Sequence, residues 1–148
     1  MSVRLLAALP FLFAPVSAAL AGPAADAVRH FYDNLGEETL QETRDRYTGP
    51  ARAFLDANDR VWAEREEICL DFAFAIDAQD YDEDELARTL ALDETVDGDE
   101  AVVVARFSLF GEPRNIEWTL AEEGGVWKVS DVAGLDGEGW RLSEFVCE

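Results

Sequence analysis

Val96-Asp97-Gly98-Asp99-Glu100-Ala101-Val102-Val103-Val104-Ala105-Arg106-Phe107-Ser108-Leu109-Phe110 decides between an all-helical chain and a mixed one. Asp97-Gly98 is a hairpin dipeptide, because both residue types tolerate the positive φ that tight turns demand. The Val-rich run from Ala101 to Phe110 that follows is a strand pattern, with Arg106 and Ser108 on its wetter side. Upstream, Leu90 and Leu92 alternate with polar neighbours as far as Val96. Downstream, Gly111 and Pro113 break the long strand, and Asn115 to Ala121 alternates again with Ile116, Trp118 and Leu120 on one face. Gly124-Gly125 turns the chain, and Val126 to Val132 makes one more strand. Strands at this spacing, joined by turn signals, predict an antiparallel meander.

The sequence before residue 85 has a different period. Ala24 to Leu35 places Ala24, Val28, Phe31 and Leu35 three to four residues apart and meets Gly36 as a stop, which predicts a short amphipathic helix. His30 and Tyr32 flank its apolar stripe, and a lone histidine there reads as a surface or half-buried side chain. Glu37 to Tyr47 is charged and predicted helical. Pro50 opens a longer helix, since a proline in the first turn gives up an N–H that would have had no partner. That helix carries Phe54, Leu55, Val61, Trp62 and Ile68 at helical period through about Glu67. A helical block followed by a meander predicts an α+β fold, with about three N-terminal helices on a sheet of three or four strands. Phe54, Trp62, Phe107, Trp118 and Trp127 are the expected core aromatics.

The chain has 148 residues, with 12 basic against 32 acidic, for a formal charge of −20. This charge argues against nucleic acid and anionic membrane surfaces as partners. Hydrophobic residues make up 49% of the sequence and aromatic ones 11%, enough to build a core despite the acidity. Met1-Ser2-Val3-Arg4, the apolar run Leu5 to Val16, and small residues at Ala19 and Ala21 read as a secretory signal peptide over residues 1–21, cleaved after Ala21. The run is too short, and too interrupted by Pro10 and Pro15, for a transmembrane helix. The expectation is a periplasmic or secreted domain over residues 22–148, without stable membrane insertion once the signal is removed. Losing Arg4 with that segment brings the formal charge to −21. In an oxidising compartment the two cysteines, Cys69 and Cys147, are expected to bond to each other. With His30 as the one histidine, they do not supply the four ligands of a zinc site.

The stretch Cys69-Leu70-Asp71-Phe72-Ala73-Phe74-Ala75-Ile76-Asp77-Ala78-Gln79-Asp80-Tyr81 leads into the acidic run Asp82-Glu83-Asp84-Glu85. Asp80, Asp82 and Asp84 fit the first three ligand positions of an EF-hand loop. Glu85 then stands where glycine should turn the chain and Ala91 where a bidentate glutamate should close the site, so no metal site is predicted. Most of these acids read as a solvated rim. Asp71 and Asp77, set in apolar sequence, are the carboxylates with a chance of desolvation, and hence of general-base work; they serve equally well as acceptors for turn amides. Gln79, Asp80 and Tyr81 are expected to organise the hand-over from helices to sheet, with Asp80 accepting from buried backbone amides. Asp71, Asp77, Gln79, Asp80, Tyr81 and Trp62 are the binding candidates. The sequence contains no GxSxG, HExxH, P-loop or GxGxxG pattern, and no cofactor is expected.

Gly125-Val126-Trp127-Lys128-Val129-Ser130-Asp131-Val132 resembles the closing strand of NTF2-like (cystatin-like) domains. Cys69-Leu70-Asp71-Phe72 with Ala78-Gln79-Asp80-Tyr81 is similar to the middle of DUF3828, a bacterial domain of unknown function in that superfamily. Val28-Arg29-His30-Phe31-Tyr32 is similar to its first helix. Ala73-Phe74 departs from the Asp-Pro those domains carry after the Phe. The resemblance implies a cone of helices closed by a curved sheet, with a pocket between them. The function expected from it is binding of a small ligand or a protein partner without catalysis. The alternatives are an isomerase- or hydrolase-type enzyme using Asp71 or Asp77 as base, and an exported immunity or inhibitor protein whose acidic face masks a basic partner.

Overall fold

The computed structural model describes residues 21–148; the signal-peptide expectation therefore lies outside the described residues, except at Ala21. Helix α1 is Pro23–Asp33, a 3₁₀ turn covers Gln41–Arg46, and α2 is Gly49–Arg65. A further helix, α3, is Glu83–Thr89. The strands are β1 Ala91–Asp97, β2 Glu100–Leu109, β3 Glu112–Glu123, β4 Val126–Gly134 and β5 Trp140–Arg141, followed by a 3₁₀ turn at Leu142–Glu144. The sheet runs β1-β2-β3-β4-β5 with every neighbouring pair antiparallel. The α+β class and the four longer strands match the sequence reading. The fifth strand was not expected, because it pairs through two residues only, Trp140 with Gly134 and Arg141 with Ala133.

The helices cover one face of the sheet. Period-two alternation sends Ala101, Val103, Ala105, Phe107 and Leu109 of β2, and Ile116, Trp118 and Leu120 of β3, into the core. Trp118 is fully buried, stacks on Phe31 of α1 with ring centroids 5.2 Å apart, and donates its indole N–H to the Tyr32 hydroxyl at 3.2 Å. The N-terminus of α1 has no side-chain cap of its own, Gly22 standing at that position. Glu94, facing inward from β1, accepts from the Ala25 amide at 2.6 Å instead. A Cβ on Gly22 would sit 2.1 Å from the Glu94 carboxylate, so a side chain there would displace that carboxylate from its place against the helix end.

Three details correct the sequence reading. Trp62 is 55% exposed, because α2 runs past the sheet and residues 62–68 have no layer beneath them. Trp127 is only partly buried at the edge of the core, whereas Phe54 and Phe107 are inside. In the β1–β2 turn the central pair is Gly98-Asp99, one residue later than expected, and only Gly98 takes positive φ. The turns Phe110-Gly111 and Gly124-Gly125 take positive φ at both positions, as type I′ hairpins require.

The acidic run is not a loop but the start of α3. Asp82 caps it, accepting from the Glu85 amide at 2.7 Å, and the acids of the first turn lie at the helix end that favours negative charge. Glu85 reaches across to the β2–β3 turn and accepts from the amides of Phe110 at 2.6 Å and Gly111 at 2.8 Å.

Candidate functional site

A cavity of about 400 Å³ opens between two segments, residues 36–39 and residues 68–79, with Asn58 of α2 at one side. Both segments are tied in place. In the first, four consecutive carbonyls are held by side chains from the following 3₁₀ turn and Tyr47. The Thr43 hydroxyl shares its one proton between Glu37 O at 2.8 Å and Leu40 O at 3.0 Å, the Tyr47 hydroxyl donates to Glu38 O at 2.9 Å, and the Arg44 guanidinium to Thr39 O at 3.1 Å. Arg44 is itself buried and anchored on α2 through Asp56 at 2.7 Å and Asp59 at 3.0 Å. A loop so constrained presents its side chains with little ordering entropy left to lose.

The second segment begins at the Cys69–Cys147 disulfide, with Cα atoms 5.5 Å apart, which fastens the C-terminal residues beside the end of α2 as the sequence predicts. The Asn58 side-chain carbonyl accepts from the Cys69 amide at 2.9 Å. Gln79 donates from Nε2 to Asp71 O at 2.8 Å, and the Ala73 amide donates to Ala78 O at 3.0 Å, closing the loop on itself. Asp77, at φ 53°, accepts from the Trp140 indole N–H at 2.7 Å. That indole lies over Gly134, where a Cβ would be 2.3 Å from its nitrogen.

Glu38 is the unusual member of this site, and the sequence reading passed over it. It is 3% exposed; Oε2 accepts from the Gly36 amide at 2.7 Å, while Oε1 is buried with no hydrogen-bond partner. Burial, and then the like charge of Glu37, hold its pKa above the ordinary carboxyl value, against the opposing pull of its own amide and that of Gly36. Burial also pushes the Tyr47 hydroxyl well above its usual range, and the nearby Glu38 charge pushes it further. No sequence signal marked Glu38 among its acidic neighbours, since its burial follows from the tertiary contacts of the 36–47 segment.

The predicted site residues scatter. Asp71 and Gln79 line this cavity from its exposed rim, with Phe72, Ala73 and Phe74 between them in sequence. Asp77 is turned toward Trp140. Asp80 is exposed and accepts only from the next amide, Tyr81, at 2.9 Å, so it does not hold buried donors as expected. Tyr81 is 36% exposed and lines a separate cavity between α1 and α3, together with Arg29, Asp33 and Glu83. Trp62 lines neither cavity. The general-base alternative needed Asp71 or Asp77 enclosed by apolar walls, and neither is placed so. Among the described residues no three or more His, Cys, Asp and Glu side chains converge as a metal-binding group, and no helix is long and apolar enough to cross a membrane.

No protein-family model matches the chain, and no curated protein sequence does. The fold is similar to that of a chain in the crystal structure of the type VI effector–immunity complex Tae3–Tai3 from Ralstonia pickettii, in its selenomethionine form. The TM-score is 0.56 at 17% identity, over 78% of this chain and 98% of that one. A chain of the native form of the same complex aligns with a TM-score of 0.49 at 19% identity, over 74% of this chain and 92% of that one. At such identities the likeness is one of fold.

Proposed function

We propose that this chain is an exported, non-enzymatic module that binds a basic protein partner, in the manner of an immunity or inhibitor protein. The observation that carries the reading is the charge of −20 on an ordered α+β fold. An acidic surface of this kind speeds encounter with a basic protein and repels phosphate-rich partners. Two further points support it. The carboxylates open to base catalysis are exposed or engaged by an indole, and the chain of similar fold comes from a complex of two proteins, an effector with its immunity protein.

The finer reading includes export by the segment 1–21 to the periplasm or beyond, and the NTF2-like, DUF3828-like cone. The tethering of Ser143 by Asp131, from the motif that carries that resemblance, is compatible with it. The small-ligand version of the binding reading has less support, because the cavity between residues 36–39 and 68–79 is open to solvent and its two charged lining residues are both acids. The test is capture of partners from the periplasmic fraction of the source cells at about 50 mM and about 500 mM salt. Light scattering then gives the stoichiometry of what is retained. A stoichiometric, basic partner lost at high salt supports the reading; no partner at low salt ends it.

A further inference from the structure

We infer that the cavity between residues 36–39 and 68–79 seats an arginine side chain of the protein partner, its guanidinium drawn to the two acids of the lining, Glu38 and Asp71. The inference rests on the protein-binding reading above and adds the chemistry of recognition to it.

Glu38 is 3% exposed and leaves one carboxyl oxygen with no donor. Buried acceptors in folded proteins are almost always paired, so an unpaired one on a residue that lines a cavity points to a donor supplied from outside the chain. The acids among the lining residues are Glu38 and Asp71, and no Lys or Arg lines the cavity. The cavity between α1 and α3, of the same volume, includes Arg29 in its lining and so carries its own cation. A donor with positive charge is therefore favoured at Glu38 over a neutral one.

The walls select among cations. Leu70 and Phe72, both partly buried, line the same cavity and give it apolar and aromatic surface. Arginine suits such a site: its stem packs on apolar surface, its planar head stacks on aromatic rings, and its fork donates to a carboxyl whose second oxygen is already held. The hydrogen bonds to the Glu37–Leu40 carbonyls fix the backbone that carries Glu38, and the Gly36 amide holds its Oε2. Arginine is among the residues enriched at interface hot spots, and a complex would close this cavity off from water.

The probe is acetyl-Gly-Arg-Gly-amide, titrated into the disulfide-bonded protein and followed by ¹H–¹⁵N spectra; the control peptide carries citrulline, the neutral isostere of arginine. Expected shifts concentrate at residues 36–39, 58 and 68–79, with affinity about tenfold lower for the citrulline peptide and for Glu38→Gln. Glu83→Gln, in the other acidic cluster, should bind like the parent. In the unmutated protein, intermolecular NOEs from the arginine methylenes to Leu70 and Phe72 are expected whether or not the Glu38 variant folds. Equal binding of the citrulline peptide, equal weakening by Glu83→Gln, or saturable shifts elsewhere without those NOEs would overturn the inference. Peptide binding is measured without the natural partner, so its failure leaves the protein-binding reading standing, and failure of partner capture leaves the peptide result intact.

Discussion

Replacing Glu85 by Ala separates the two accounts of the acidic run. If these acids form a solvated rim, the change costs nothing measurable. The structure instead has both Glu85 oxygens accepting backbone amides, Phe110 at 2.6 Å and Gly111 at 2.8 Å. Those amides belong to a turn whose first central residue, Phe110, holds φ at 50°, a conformation costly for a side chain with a Cβ. Hydrogen bonds to charged acceptors contribute about 1.5 to 3 kcal/mol each when well desolvated. Here the turn is exposed and water replaces the lost acceptor, so the two together are expected to be worth about 1 to 2 kcal/mol. Urea unfolding with the disulfide intact measures this, and exchange of the Phe110 and Gly111 amides locates it. Glu83→Ala, an exposed acid two residues earlier, should stay within about 0.5 kcal/mol. Equal midpoints for Glu85→Ala and Glu83→Ala, with unchanged protection at residues 110 and 111, would refute the reasoning.

Asp82→Ala should cost about 1 kcal/mol as the loss of a helix cap, while Asp80→Ala should be close to neutral; the same urea titrations reverse this order if the sequence reading was right. Replacing Cys69 and Cys147 together by Ala opens a crosslink spanning 78 positions, for which loop entropy gives a loss of about 4.5 kcal/mol at most. A loss below about 1 kcal/mol would mean that the C-terminal segment is held by packing alone. Glu38 sets a pH dependence whose sign is fixed by its raised pKa: between the ordinary carboxyl value and its own, the folded state binds more protons than the unfolded one. Stability from this group is full below the ordinary value and declines as pH rises through the folded one. Glu38→Gln should remove that decline and leave the variant at least as stable as the parent at neutral pH; a variant less stable there would show the carboxylate to be satisfied after all.

Much of the fold was legible because period and turn chemistry act locally. Val102 to Leu109, Ile116 to Leu120 and the glycine turns gave four strands, and Phe54 with Leu55 gave the long helix. The acidic run was misread, although its Asp82-x-x-Glu85 spacing ahead of Leu86 is a capping-box pattern. Its charge density reads as a solvated rim or a metal loop before it reads as a helix start. The site was legible only at its rim, in Asp71 and Gln79. Glu38 could not be found from sequence, since nothing in Glu37-Glu38-Thr39 distinguishes the acid that Tyr47, Thr43 and Arg44 bury from the one they leave outside. Trp62 failed for the opposite reason: helical period cannot tell where the sheet beneath a helix ends.

The central claim is that an acidic surface binds a basic protein. Calorimetric titration of the captured partner against this chain, repeated across a series of salt concentrations, tests it most directly. The account predicts a one-to-one complex whose affinity falls steeply as salt rises, with the fall carried mainly by the association rate. A complex indifferent to salt, or a partner that is itself acidic, would contradict it.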